Sequence, residues 1–417
     1  MFKNQVAEFI YKRTYSRWIE EENRREEWEE TIDRFLGFVI SERPDIPEKT
    51  QTKIKKYMME FGVMPSMRFL WAAGPAAKAD NTCIYNCSFA KINTVDAFAE
   101  CLYILMCGTG FGFSVEQEEV GKLPEIPEIS SGQALKKVVI EDSKAGWADS
   151  VRTLMQSLYE GQNVYFDYSE IRLEGARLKT MGGRASGPQP LVKLHDFIRE
   201  TMHNAQGRQL TSLECHDICN QIAEIVVVGG VRRSSQISLS DLHDKDMRHA
   251  KEWPYPIKRA MANNSAVYRE KPSAGEFLSE WASLALSGTG ERGIFNLEAA
   301  QSKAPSRRYA PLIQGTNPCG EIMLRDMEFC NLSEVVVRED DDLDTLLDKV
   351  ECATWLGVIQ SSFTYFPYLR NDWKKNCDVE ALLGVSLTGQ MDNPSLMNSE
   401  VFKALKSRVI RIARKAS

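Results

Sequence analysis

The stretch VDAFAECLYILMCGTGFGFSVE, residues 95–116, limits the fold more than any other part of the sequence. An apolar helix runs into a turn carrying Gly108, Gly110 and Gly112, and then into a strand. A dinucleotide-binding Rossmann unit needs the order strand, glycines, helix, so that phosphate meets a helix N-terminus. The order here is the reverse, and that fold is excluded. The glycines instead predict a turn where backbone closely approaches something flat, such as a nucleoside. Elsewhere apolar strands alternate with helical stretches, which predicts an α/β architecture.

At 417 residues and 43% hydrophobic content the chain can bury a large core. A net charge of -6 and a pI near 5.7 argue against a broad basic face for nucleic acid. No apolar run approaches the ~18 residues of a membrane span, and the N-terminus has no signal-peptide core, so a cytoplasmic location is expected. Ten cysteines are many for such a chain, and in a reducing compartment most should be thiols. Cys215 and Cys219 form a CxxxC on a predicted helix with no second ligand pair nearby, so no metal site is expected there.

Residues 4 to about 62 read as helical, with Trp18, Trp28, Ile32, Phe35 and Leu36 near helical spacing on a charged segment. Pro65 and Gly74 then break the helix. The glycine-rich run LKTMGGRASGPQPL has the composition of a surface loop, or of a mobile loop that senses a ligand. AEIVVVGGVRRSSQISLS reads as a buried strand, a turn and a second strand, with Arg232 and Arg233 available to phosphate or to carboxylates. REDDDLDTLLDKV reads as the acidic start of a helix.

The chemistry concentrates in GTNPCGEIMLRDMEFCNLSE, residues 315–334. Pro318 and Gly320 make a helix unfavourable there. If the segment is extended, Asn317, Cys319 and Glu321 share one face, with neighbours about 6.5–7 Å apart. An amide, a thiol and a carboxylate in a row could serve a cysteine nucleophile with its base, or a cysteine that becomes a radical beside a proton acceptor. A nucleophilic thiol would normally want a histidine partner. None of His195, His203, His216, His243 and His249 sits in a catalytic context, and the abundant cysteines favour redox chemistry.

NPCGE followed by FCNLSEV resembles the active-site loop of the ribonucleotide reductase catalytic subunit. RTYSRW, PSMRFLWAAG, YNCSFA, LMCGTGFGFSVE, DYSEIR, GARLKTMGGRASGP, GGVRRSSQISL, NNSAVY, GIFNLE and GVSLTG follow in that family's order. By this pattern the chain is similar to the monomeric, adenosylcobalamin-dependent (class II) ribonucleoside triphosphate reductases. The resemblance implies an N-terminal helical region over 1–62 and a ten-stranded α/β barrel with a central finger loop over 63–417. Cys319 would be the thiyl-radical cysteine that takes the ribose 3′ hydrogen. Glu321 would accept the 3′-hydroxyl proton, and Asn317 would hydrogen-bond the ribose hydroxyls. Cys87 and Cys330 would be the reducing pair, with Cys83 a rival for Cys87. Ser66, Asn86 and Gly110 would contact substrate. An effector and specificity region at about 160–190 would take a deoxynucleoside triphosphate through Asp167, Ser169, Arg172, Gly182, Gly183, Arg184 and Ser186.

Adenosylcobalamin is the radical source that the resemblance favours; a ferritin-like metal subunit is the alternative. The expected partners are a ribonucleotide substrate, the effector and a thiol reductant such as thioredoxin, with neither nucleic acid nor membrane. The family continues beyond GVSLTG through a phosphate-binding loop, further barrel strands and a cysteine-bearing tail. The expectation is therefore an incomplete barrel that needs a complementing C-terminal fragment, the alternative being a nucleotide-binding or assembly module without catalysis of its own.

Overall fold

The computed structural model describes residues 2, 4–130, 136–176, 184–228 and 235–416. Two compact units emerge. The first comprises residues 1–86, 330–367 and 371–417, and the second comprises 87–329 with 368–370.

In the first unit the N-terminal region is not one helical run. Helix α1 (Gln5–Thr14) is followed by a short antiparallel hairpin, Trp18–Ile19 with Arg24–Arg25, before α2 (Trp28–Glu42) and α3 (Glu48–Met59). The interruption has a local cause. Glu30 accepts the Glu27 backbone N–H at 2.7 Å and holds the Arg24 guanidinium in a fork with two 2.7 Å bonds. That anchors the hairpin to the first turn of α2. Ile32, Phe35, Leu36 and Val39 then bury one stripe of α2, as their spacing predicts. Strand β1 (Val63–Met64) forms one edge of a three-stranded sheet, and helix α4 (Met67–Ala72) follows it.

The second unit is built on a six-stranded sheet. Its strands are β2 (Cys87–Lys91), β3 (Gly110–Ser114), β4 (Gln236–Asp241), β5 (Ala262–Tyr268), β6 (Gly293–Asn296) and β7 (Glu328–Phe329), in the spatial order β6-β5-β4-β3-β2-β7. The first five are parallel and β7 runs antiparallel to β2. Helix α5 (Val95–Met106) connects β2 to β3 and ends where expected. Gly108 takes φ +83°, its N–H bonds the Leu105 carbonyl and the Thr109 N–H bonds that of Ile104. This is a glycine-terminated Schellman cap.

Between β3 and β4 the chain forms a two-stranded parallel sheet, Lys136–Val139 with Val164–Asp167, and the helices α6 (Lys144–Tyr159), α7 (Gln189–Asn204) and α8 (Ser212–Val228). AEIVVV, expected as a strand, is the last part of α8. Ile225 and Val226 are buried on a helix that packs on α5 and α7, so tertiary burial outweighs strand propensity. The strand expected after it is β4.

The chain returns to the first unit with β8 (Leu332–Val336), α9 (Leu343–Ser361) and β9 (Gly384–Thr388), giving the sheet order β9-β8-β1. Asp342 caps α9, in line with the acidic helix start read from the sequence. Helix α10 (Ser399–Ala416) packs on α9. Among the described residues no helix is long and apolar enough to cross a membrane.

Candidate active site

The alternation of glycine and phenylalanine in β3 creates the platform of the site. Phe111 and Phe113 fill one face and are fully buried. Gly110 and Gly112 leave the other face bare. Onto that face packs a hairpin formed by Ile313–Thr316 and Met323–Arg325. A methyl group on Gly112 would lie 2.3 Å from the Thr316 carbonyl oxygen, and one on Gly315 would lie 2.1 Å from the Phe89 ring. At Gly110 it would meet Pro318 at 3.2 Å and the Cys87 sulfur at 3.4 Å. The close approach read from the glycines is real, and what approaches here is the chain's own thiol-bearing hairpin.

The segment from Asn317 to Glu321 is a tight turn and not extended chain. Full extension would separate Asn317 from Glu321 by about 13 Å. Instead the Asn317 Nδ2 donates to Glu321 Oε1 at 2.8 Å, and Asn317 Oδ1 accepts the Ile322 N–H at 3.0 Å. The Gly320 N–H bonds the Asn317 carbonyl at 2.9 Å, and Gly320 sits at φ +84°, a conformation that glycine adopts at little cost. The expected shared face of three side chains therefore does not form. The turn carries the buried Asn317 and the carboxylate at its base and leaves Cys319 exposed at its tip. Both ends of the Asn317 amide are used, which fixes its orientation.

Cys87, nearly buried, opens β2 and pairs in register with Gly110, which opens β3. The hairpin tip and this second thiol thus gather at the amino ends of the parallel strands. Ligands of open α/β sheets usually sit at the carboxyl ends. Among the described residues no cluster of His, Cys, Asp or Glu is arranged to hold a metal ion.

Three further predicted positions lie in the first unit. Cys330 is fully buried just ahead of β8. Ser66 is the buried N-cap of α4, where its hydroxyl accepts from the Phe69 N–H at 3.2 Å and donates to the Ile84 carbonyl at 3.1 Å. Asn86 is half-buried.

The predicted effector residues are linked locally. Asp167 bonds Lys137 at 2.7 Å and accepts the Ser169 N–H at 3.0 Å, and these contacts hold its carboxyl well below the usual range. Arg172 pairs with Asp142 at 2.6 Å, Arg184 donates to the Gly175 carbonyl at 2.9 Å, and the Ser186 hydroxyl donates to the Gly187 carbonyl at 3.4 Å. Gly182 and Gly183 lie outside the described residues, as do Met181, Arg232 and Arg233. Sequence reading passed over His195 as an ordinary residue. The structure places it, fully buried, between the Tyr168 hydroxyl at 2.7 Å and the Ser150 hydroxyl at 2.9 Å. Its only signal in the sequence is a polar residue on the buried stripe of α7.

A parallel α/β sheet carrying a thiol-tipped hairpin beside a second thiol is an arrangement that cysteine redox chemistry can use. The comparisons narrow this. Residues 1–75 match the ribonucleotide reductase alpha domain, and residues 128–202 match the insertion domain of B12-dependent ribonucleotide reductase. The adenosylcobalamin-dependent ribonucleoside-triphosphate reductase of Levilactobacillus brevis is 29% identical over 96% of this chain and 62% of its own length. That of Lactobacillus delbrueckii subsp. bulgaricus is 27% identical over 92% of this chain and 61% of its own. A crystal structure of a B-12 dependent (class II) ribonucleotide reductase superposes with a TM-score of 0.79 at 25% identity, covering 94% of this chain and 63% of that one. Over most of its length the chain is similar to adenosylcobalamin-dependent ribonucleotide reductases, and it spans about three fifths of the length of these relatives.

Proposed function

We propose that this chain carries the thiol chemistry of an adenosylcobalamin-dependent reductase that converts ribonucleoside triphosphates to 2′-deoxyribonucleotides. The observation that carries the reading is the hairpin turn, which exposes Cys319 while bonding Asn317 to Glu321 at its base. In this reading a thiyl radical at Cys319 takes the ribose 3′ hydrogen atom. The Glu321 carboxylate accepts the 3′-hydroxyl proton, and its bond from Asn317 keeps the acceptor oriented. Asn317 also holds the ribose hydroxyls. The 2′-hydroxyl leaves as water, with the proton and electrons coming from the Cys87 and Cys330 thiols, which end as a disulfide. Ser66, Asn86 and Gly110 line the substrate in this reading.

An exposed sulfur at a rigid tip fits a cofactor that must reach the thiol from outside the loop. Adenosylcobalamin, named for the relatives, supplies when bound the radical chemistry that ordinary side chains lack. The region around Asp167, Ser169, Arg172, Arg184 and Ser186 serves a deoxynucleoside triphosphate effector, and a thiol reductant such as thioredoxin restores the cysteine pair.

The test is an assay with labelled ribonucleoside triphosphate, adenosylcobalamin and dithiothreitol, run with and without a complementing C-terminal fragment. Cobalamin-dependent deoxynucleotide formation is the expected result. Turnover that persists in Cys319→Ser would overturn the radical assignment. Activity restored by a metal-bearing subunit and indifferent to cobalamin would overturn the cofactor.

A further inference from the structure

Tyr168 stands between Asp167 and Ser169, two residues of the effector reading, yet its side chain engages the helices beside them. Its hydroxyl lies 2.7 Å from Nδ1 of His195 on α7. The Nε2 of His195 lies 2.9 Å from Oγ of Ser150 on α6. Ser150 Oγ in turn lies 2.7 Å from the Trp147 carbonyl oxygen, which can only accept. A serine hydroxyl has one proton, and here it goes to Trp147. Ser150 must then accept from His195, which puts the ring proton on Nε2. The neutral ring has a bare Nδ1, so the Tyr168 hydroxyl donates to it. Burial and the neighbouring Arg199 guanidinium keep the ring neutral, with its pKa lowered to about 3. Phe166 packs against the same ring with centroids 4.5 Å apart. Every proton along the chain Tyr168, His195, Ser150, Trp147 thus has a fixed direction.

We propose that His195 is a positioning residue for the effector site, holding the Asp167–Ser169 turn in place through the Tyr168 hydroxyl. The inference rests on the effector reading given above. It concerns a group that does not itself touch the nucleotide.

The test is calorimetric titration of the whole chain with dATP, dGTP, dTTP and dCTP. Asn at position 195 can present an acceptor where Nδ1 sits, whereas Gln can present a donor where Nε2 sits. His195→Gln and Tyr168→Phe should each weaken deoxynucleotide binding about tenfold, the equivalent of one buried hydrogen bond. His195→Asn should stay within about twofold of wild type. The double variant Tyr168→Phe with His195→Gln should bind no worse than either single one, because both remove the same bond. Tyr168→Phe deletes a single oxygen, so it reports even where a His195 variant fails to fold.

A purely architectural histidine would instead make binding follow the melting temperature in the Asn and Gln variants alike. That result, or wild-type affinity in Tyr168→Phe, overturns the proposal. If the wild-type chain binds none of the four nucleotides, the effector reading itself is wrong, and this shows before any variant is compared.

Discussion

The thiol hairpin at 313–325 and residues 164–176 both hold proposed functional residues, but they are held by different forces. The hairpin is fixed by exclusion: Gly112 and Gly315 admit backbone and ring atoms where any side chain would collide. Its turn is closed by bonds from Asn317 to Glu321 and Ile322, and Gln301 and Arg308 donate to its Ile313 and Met323 carbonyls at 2.9 Å. Residues 164–176 are held by charge pairs, Lys137 with Asp167 and Arg172 with Asp142, and by a side-chain bond reaching into the helices. Steric exclusion has steep walls and tolerates little displacement. Exposed charge pairs are weak and exchangeable. A group that must meet a reacting hydrogen atom needs the first kind of support, and a segment that answers to different ligands can work with the second.

The largest expected effect isolates the chemistry from the scaffold. Cys319→Ser should abolish turnover in the reconstituted assay while changing the unfolding free energy by less than about 0.5 kcal/mol, because the residue is exposed at the tip. A large loss of stability would show that the tip is part of the packing, and the contrast with residues 164–176 would fail.

Acid sensitivity should belong to the helical layer. His195 and His216 are fully buried and each has a pKa lowered to about 3, in both cases chiefly by burial. Unfolded, each would titrate near 6.5. Between those values the unfolded chain binds protons that the folded chain does not. Stability therefore falls as pH drops from about 6.5 toward 3, and these groups add no pH dependence above that window. Each contributes on the order of 5 kcal/mol across the full window, or about 1.4 kcal/mol per pH unit within it. Denaturant titrations from pH 6 to 4.5 should lose about that slope in His195→Asn. An unchanged slope would mean that the ring is already charged in the folded state.

Gly112→Ala puts a methyl carbon 2.3 Å from the Thr316 carbonyl, backbone against backbone. Neither partner is a flexible side chain, so the hairpin must lift from β3, at a cost of about 3 kcal/mol or more. Alkylation of Cys87 should then speed up, since the neighbouring Pro318 moves away with the hairpin. A variant with wild-type stability and Cys87 reactivity would show that steric exclusion does not set the hairpin's position.

Local signals were legible in the sequence and long-range contacts were not. The order helix, glycines, strand gave the α5–β3 unit, because a Schellman glycine and a period-two strand are local signals. The NPCGE segment was read as extended, and it folds as a tight turn. Alternation assumed extension, while the closing bonds run from the Asn317 side chain to a carboxylate four residues on and a main-chain N–H five residues on. Positional pattern does not reveal such bonds. The strand expected in AEIVVV failed because packing on α5 and α7 decides that segment. His195 was illegible for a related reason: its partners, Ser150 and Tyr168, lie 45 and 27 residues away.

The smallest effect probes the turn's own bonds. Asn317→Asp keeps an oxygen to accept the Ile322 N–H, so the turn should close as before. It loses the 2.8 Å donor to Glu321 and sets a second carboxylate beside it. One lost hydrogen bond costs about 1 kcal/mol, and the like charge adds to this at neutral pH. Two carboxyls so placed cannot both ionise easily, so one takes up a proton at higher pH than an isolated group. Stability should recover toward wild type as pH falls to about 5, where the pair shares a proton. In the proposed mechanism the activity profile should shift in parallel, since Glu321 would accept a proton only when ionised. Asn317→Ala provides the contrast: it removes both bonds, adds no charge, and should show a loss of about 1–3 kcal/mol with no recovery on acidification. Recovery in both variants, or in neither, would separate the Asn317–Glu321 contact from the chemistry assigned to it.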